Sequence, residues 1–366
     1  MTIFIMFGLI LSTLFSIYLY FYFYRIIKFF KKDNHIYYHI ISIILALGLG
    51  FCCYNFANTI TIIMLHIIVI SLFVDLIYLI VKLILRKNNI DIKRSIKCIY
   101  TFGILPILMS SIFIIYGAIN MTKIVETKYD ITTNKNLDYK IVMISDTHYD
   151  TIQNPKILKT YVDKFSQMNL DLLILDGDII DESTSKESIK EVFNILSNVK
   201  TKYGIYYVYG NHDRGNYGTS KVFTKEELDN YIRSCNINVL SDESVIINNE
   251  LLLTGREDYK DKSINRKEIE DINKDIDTNN YYKIMLDHEP VEIEDVLNNK
   301  YDLMLSGHTH AGQIWPSGAF LRLIGRYNYG KYEIDDLTLL VSSGFTGWGY
   351  PVRTEKHCEY VLINLK

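Results

Sequence analysis

The chain opens on long apolar runs and then changes character. No charged side chain occurs before Arg25, and further apolar runs cover 36–57, 59–85 and 98–120. A bilayer-crossing helix needs roughly 20 such residues, so the pattern predicts a transmembrane region of four helices at about 1–24, 36–57, 59–85 and 98–120. The first run does not read as a cleaved leader: no basic segment precedes it, it is too long, and no small-x-small cleavage site follows. Tyr18, Tyr20, Phe21, Tyr22, Phe23 and Tyr24 crowd its end, the composition of an interfacial aromatic belt. A very short polar turn around 55–58 pairs the second and third runs as a helical hairpin.

From residue 138 onward, short apolar runs alternate with amphipathic ones. Strands are predicted at 139–145, 171–175 and 204–209, in the β-rich stretch 239–253, and at 282–286, 302–305, 337–342 and 359–364. Helices are predicted at 154–167, 186–199, 225–233 and 291–297; in the second of these Ile189, Val192, Phe193 and Leu196 recur at helical spacing. The charge-rich segment 257–280 reads as a solvated helix or loop. Strand–helix alternation followed by strand-rich runs predicts an α/β domain of two packed sheets flanked by helices. The expected organisation is a membrane region over 1–120, a linker over 121–137 and one domain over 138–366.

Charge sharpens this division. Residues 1–128 hold twelve Lys/Arg against four acids, a net +8, which leaves −11 for the rest of a chain whose total is −3. The acidic half carries the chemistry, so no nucleic-acid partner is expected. The loops 25–32 and 86–97 hold four and five basic residues. The positive-inside rule puts both in the cytoplasm, which places the polar half on the extracytoplasmic side of a multi-pass cell-membrane protein. Asp75 lies about 11 residues from Arg86, roughly 16 Å deep at 1.5 Å per residue. An acid at that depth is either functional or a hydrogen-bonded packing residue. His39 and His66 read as packing or interfacial residues. Of the five cysteines, only Cys235 and Cys358 lie in the polar half, where a disulfide would require an exported domain.

Five predicted strand ends carry clusters of Asp, Asn or His: Asp146-Thr147-His148, Gly177-Asp178, Gly210-Asn211-His212-Asp213, Asp287-His288 and Gly307-His308-Thr309-His310. Side chains at i and i+2 of extended chain point the same way, and the C-terminal ends of parallel strands share one sheet edge. The five clusters therefore describe one site built from distant parts of the chain. Its mixed imidazole and carboxylate character suits Mn, Fe or Zn better than Mg or Ca. Arg353, in a predicted loop after glycines and a proline, is either a surface arginine or a phosphate contact. Gly255-Arg256-Glu257-Asp258 is a candidate for the mouth of the site.

In this order the segments resemble the calcineurin-like metallophosphoesterase family, whose pattern is Asp-x-His, Gly-Asp-x-x-(Asp/Glu), Gly-Asn-His-(Asp/Glu), an isolated His and Gly-His-x-His. Here it reads Asp146-Thr147-His148, Gly177-Asp178-Ile179-Ile180-Asp181, Gly210-Asn211-His212-Asp213, His288 and Gly307-His308-Thr309-His310. The segment 306–313, Ser342-Ser343-Gly344-Phe345-Thr346-Gly347 and Pro351-Val352-Arg353 are similar to the membrane-attached bacterial branch, with Ala311 where that branch usually has a second glycine. The resemblance implies a four-layer α/β/β/α sandwich and two divalent metal ions. One would sit on Asp146, His148, Asp178 and His310, the other on Asp178, Asn211, His288 and His308. It also implies a catalytic His212 oriented by Asp213, and hydrolysis of a phosphodiester or pyrophosphate by a hydroxide shared between the metals. The substrate would be a phosphoester, lipid-linked or nucleotide-linked, beside the bilayer as partner. The competing function is a membrane receptor or sensor that keeps the fold to bind a ligand without turnover.

Overall fold

The computed structural model describes residues 2–31, 33–55, 58–152, 154–215, 217 and 222–366. Lys32 of the first basic loop, and residues 56 and 57 of the turn expected between the second and third spans, lie outside the described residues. The chain forms two compact units, Met1–Ala118 and Ile119–Lys366.

The first unit holds α1 (Thr2–Phe30), α2 (Ile36–Phe51), α3 (Thr59–Lys87), α4 (Arg94–Thr101) and most of α5 (Ile104–Met121). Among the described residues three helices are long and apolar enough to cross a membrane, over Met6–Phe30, Thr59–Lys87 and Ile104–Met121, while α2 has 16 residues. The helix α2 runs beside α1: the Ser12 hydroxyl donates to the Gly50 carbonyl at 2.7 Å, and Tyr20 bonds Nδ1 of His39 at 2.8 Å. The run expected as one span at 98–120 is broken instead. Gly103, at φ +60°, takes a left-handed conformation between α4 and α5. Arg25, counted with the first basic loop, lies inside α1 and pairs with Asp75 at 2.8 Å. Tyr18 donates to the other oxygen of Asp75 at 2.8 Å, so that acid is a partnered packing group. His66 is buried on the Ile62 carbonyl.

The second unit is built on two six-stranded sheets. The strands are β1 (Ile124–Ile131), β2 (Tyr139–Ile144), β3 (Leu172–Asp176), β4 (Ile205–Val208), β5 (Asn238–Val239), β6 (Glu243–Ile247), β7 (Leu251–Gly255), β8 (Tyr282–Leu286), β9 (Leu303–Ser306), β10 (Gly330–Ile334), β11 (Leu337–Val341) and β12 (Cys358–Leu365). One sheet has the order β1-β12-β2-β3-β4-β5 and the other β10-β11-β9-β8-β7-β6. Both are mixed: β2, β3 and β4 run parallel, as do β7, β8 and β9, while β12 opposes β2 and β6 opposes β7.

Alternation along each strand explains the packing. Ile141 and Met143, Leu172 and Ile174, and Val361 and Ile363 face a core shared with Leu251, Leu253, Ile284, Leu286, Leu303 and Leu305 of the other sheet. The intervening Val142, Ile144, Leu173 and Leu175 face the opposite way, onto α6 (Pro155–Phe165), α7 (Lys186–Leu196) and α8 (Lys225–Ser234). On the second sheet Met285, Met304, Leu339 and Val341 pack with Val296 of α10 (Ile293–Asn298) and Ile269 of α9 (Ile269–Ile272). Strands covered on both faces read as unbroken apolar runs, which is why they are legible in the sequence.

Two segments depart from expectation. The segment 121–137, expected as a linker, contains β1, which pairs with β12 along its whole length. Its alternation of exposed polar and half-buried residues marks an edge strand with little apolar signal. Within 257–280, expected to be solvated, Glu257, Asp258, Asp261 and Ile269 are buried.

Candidate metal centre

The parallel strands β2, β3 and β4 and the parallel pair β8 and β9 all release their chain into one set of loops. These loops bring two groups of ligand atoms together. Asp146, His148 and His310 offer atoms all within 4.8 Å of one another, and so do Asp178, His288 and His308. The Asp178 carboxylate looks at both groups: Oδ2 is 3.0 Å from Nε2 of His288 and 3.9 Å from Nε2 of His148. Asp146 Oδ1 stands 3.4 Å from Nε2 of His310 and 3.9 Å from Nε2 of His288.

The backbone is bent to achieve this. Asp146, His148, Asp178, His308 and His310 all have positive φ, between 38° and 67°. Such conformations cost about 1–3 kcal/mol each and cluster at functional sites. Close approach also demands glycine. A Cβ on Gly307 would lie 2.5 Å from Oδ2 of Asp146, and one on Gly210 would collide with Oδ1 of Asp178. Outer partners then aim the rings. His288 Nδ1 bonds the Asp176 carbonyl at 2.7 Å, His310 Nδ1 faces the Thr346 carbonyl at 3.3 Å, and Asp181 lies 3.5 Å from Nδ1 of His148. In each case Nε2 is left to face the centre.

The donor set fits divalent cations. Nε2 of His148 and Oδ1 of Asn211 are buried and accept or donate no hydrogen bond among the described residues. The charges tell the same story. Burial holds Asp146 and Asp176 above the usual carboxylate range. Burial also opposes the charged form of Asp178, yet His288 and His212 hold it well below that range. Burial would depress His288, but Asp178, Asp146 and Asp176 raise it well above an ordinary imidazole. Burial keeps His308 and His310 well below the ordinary value, so both are neutral as ligation requires. The Lys260 ammonium rests 2.6 Å from Nε2 of His308 and 3.3 Å from Glu289.

His212 stands at the rim, its backbone N–H on Oδ1 of Asp178 at 2.8 Å and its ring between Tyr217 and Trp348, each 5.1 Å away. Its Nδ1 meets the Glu182 carboxylate at 2.9 and 3.0 Å. Burial would lower His212, but Asp178 and Glu182 raise it to about 9. The orienting partner is thus Glu182, and the expectation for Asp213 is corrected. Asp213 accepts the backbone N–H groups of Asp178, Ile179, Ile180 and Gly210 at 2.6–3.1 Å and so pins the loop that carries Asp178. Burial and the charge of Asp178 push its carboxyl up to about 7 against those four donors.

Arg353 is corrected too. It is fully buried and donates to the carbonyls of His310, Ser343, Thr346 and His357 at 2.7–3.3 Å, so it clamps the His310 loop and meets no solvent. Arg353→Ala is expected to unfold at lower temperature by an amount worth about 2–4 kcal/mol, since several carbonyls lose a charged donor. Calorimetry checks it, and an unchanged melting temperature would contradict the clamp. Arg256 and Glu257, expected at the mouth, are buried in ion pairs instead, Arg256 with Asp242 and Glu292 and Glu257 with Arg214 and Lys225. Asp258 is buried beside them. Cys235 and Cys358 are buried as separate thiols, Cys235 facing Oδ1 of Asn194 at 3.7 Å and Cys358 the Met121 carbonyl at 3.4 Å.

Residues 139–312 match the calcineurin-like phosphoesterase family. A Campylobacter jejuni protein named as an uncharacterised metallophosphoesterase is 30% identical over 268 residues, covering 72% of this chain and 69% of its own. A Helicobacter pylori protein of the same designation is 30% identical over 232 residues, 62% of this chain and 60% of its own. A Danio rerio protein named as a transmembrane protein with a metallophosphoesterase domain is 25% identical over 280 residues, 72% of this chain and 62% of its own. The chain therefore belongs to the calcineurin-like metallophosphoesterases, whose domain is that of a metal-dependent hydrolase of phosphoric esters. It spans about three fifths of the length of the Helicobacter relative.

Proposed function

We propose that the protein is a membrane-bound phosphoesterase that uses two divalent cations, Mn, Fe or Zn, to hydrolyse a phosphodiester or pyrophosphate. The observation that carries this reading is the Asp178 carboxylate set between two groups of ligand atoms. Asp146, His148, Asp178 and His310 would hold one cation, and Asp178, Asn211, His288 and His308 the other. When bound, such a pair supplies charge neutralisation at the phosphoryl group and lowers the pKa of water. The chain's own residues do the rest. His212, protonated through its contact with Glu182, stands at the rim to donate a proton to the leaving oxygen. Asp213 fixes the loop under it. Lys260, 44% exposed, would move from His308 onto a phosphoryl oxygen once the cation is in place.

The decisive assay uses the full chain in nanodiscs with bis-p-nitrophenyl phosphate and each cation in turn. Metal-dependent hydrolysis is expected. No turnover with any divalent cation would leave a ligand-binding receptor as the better reading, and turnover that survives both His212→Ala and Asp178→Asn would remove the site altogether.

The domain plan we propose is a membrane region over 1–120 followed by a catalytic unit whose two sheets and flanking helices stack as four layers. Four crossings are favoured because α2 accompanies α1 along its length. With α2 crossing, the two basic loops fall on one side, as their charge asks. The catalytic unit then lies outside the cytoplasm, and its substrate would be lipid-linked or nucleotide-linked. A reporter active only in the cytoplasm, fused after Lys366, is expected to be silent; an active fusion would reverse the orientation.

A further inference from the structure

The most exposed large apolar side chains of the second unit sit together. Among the described residues, Phe320, Leu323 and Ile324 are 60%, 82% and 53% exposed, ahead of every other such residue there. All three belong to, or directly follow, α11 (Ser317–Leu323), and the exposed Arg322 and Arg326 lie among and just after them. A soluble domain does not leave such a trio facing water without a partner. An apolar face flanked by arginines fits the headgroup–acyl boundary of a bilayer.

The place of α11 in the fold points to the same occupant. The Gly318 N–H donates to Glu355 at 2.8 Å, and Arg322 pairs with the same carboxylate at 3.4 Å. The segment around Glu355 is also gripped from the other side, because the Asn120 amide donates to the carbonyls of Arg353 and Lys356. Asn120 is the penultimate residue of α5, whose apolar window ends at Met121. One short stretch, 353–356, thus joins α11 to the point where the chain leaves an apolar span. The other neighbour of α11 is the metal-ligand loop: Gly318 packs on the Ala311 carbonyl so closely that no Cβ fits. Asn328 ties down the start of α11 by donating to the Gly318 carbonyl at 3.2 Å.

We propose that α11 is an interfacial anchor that dips Phe320, Leu323 and Ile324 into the bilayer, with Arg322 and Arg326 among the phosphates. The loop carrying His308 and His310 is then held at headgroup depth, and the site takes a phosphoester presented by a membrane lipid in preference to a dissolved one. The anchor stands on its own; the choice of substrate rests on the phosphoesterase reading above.

Fluorescence tests the anchor without any catalysis. The chain has two tryptophans, so Trp315→Phe and Trp348→Phe give a silent background for Leu323→Trp in the full chain. In phosphatidylcholine–phosphatidylglycerol nanodiscs, brominated acyl chains are expected to quench this probe several-fold and its emission to be blue-shifted. Ile246→Trp, on β6, is expected to stay unquenched. Water-like, unquenched emission from Leu323→Trp overturns the anchor. So does blue-shifted but unquenched emission, which would mark a protein partner such as a second copy of the chain. Phe320→Trp repeats the measurement if Leu323→Trp does not fold.

The substrate claim is read from the triple variant Phe320→Glu, Leu323→Glu, Ile324→Glu. Hydrolysis of a phosphodiester lipid in the nanodisc is expected to fall several-fold, with bis-p-nitrophenyl phosphate unaffected. Equal losses on both substrates, or none on either, overturn it. Quenching without hydrolysis of any substrate supports the anchor and sinks the phosphoesterase reading, whereas hydrolysis without quenching does the reverse.

Discussion

Asp178→Asn should lower turnover by at least about a thousandfold, because loss of Lewis-acid stabilisation is worth several kcal/mol, and should strip the protein of both metal equivalents. The reason is positional. This carboxylate lies within 4 Å of a ring from each ligand group, 3.0 Å from His288 and 3.9 Å from His148 through one oxygen, while its other oxygen is fixed by the His212 N–H. An amide keeps the shape and removes the charge. His310→Ala, by contrast, should cost one equivalent, since His310 belongs to one ligand group, with Asp146 and His148. Elemental analysis of the purified full chain distinguishes the two. Full occupancy in Asp178→Asn would refute the shared position. A thermal melt guards against simple misfolding: the variant treated with chelator should still unfold cooperatively, but at a lower temperature than the parent, because the charge that His288 and His212 hold ionised has been removed. What it should lack is the upward shift on adding cation.

His212→Ala should lose about 10²–10⁴-fold in kcat, the usual worth of a positioned proton donor, while metal content stays at the parent's level. Glu182→Gln is the finer probe. It removes the charge of one of the carboxylates that raise His212 to about 9, so the alkaline limb of the kcat profile should move to lower pH, with a loss of roughly one to two powers of ten for a charged hydrogen bond. The stability sign follows. The folded value of His212 exceeds the unfolded value of about 6.5, so its protonation stabilises the fold fully below that pH and the contribution fades as pH rises through about 9. Asp213→Asn should instead lower thermal stability, since it weakens a cradle of four backbone donors. An alkaline limb that ignores Glu182 and follows Asp213 would reverse the two assignments.

What could be read from the sequence was what repeats a simple physical pattern. The central strands are apolar on both faces, and each ends in a cluster of Asp, Asn or His, so Asp146, His148, Asp178, His288, His308 and His310 stand out in the sequence itself. Residues that act through direction were not legible. Arg353 announces a charge but not that four carbonyls surround it. Asp213 is adjacent to His212 in sequence and therefore points elsewhere. Glu182 follows Asp181 directly, and that second acid was the one available signal for the partner of His212. Lys260 lies in a charge-rich loop where nothing in the local sequence separates it from its neighbours. The edge strand β1 and the exposed helix α11 escaped because one buries too little apolar surface and the other too much of its apolar surface faces outward.

Asp146, His148, Asp178, His308 and His310 share a left-handed backbone, and that limits which side chains can follow one another there. Asp, Asn and His are the non-glycine residues that tolerate this region most readily, while branched side chains do not. These are also residues with ligand atoms close to the main chain. Exchange among the three leaves the loops in place while altering the charge and softness offered to a cation. Metal preference can therefore drift within this scaffold by single substitutions that the fold scarcely registers.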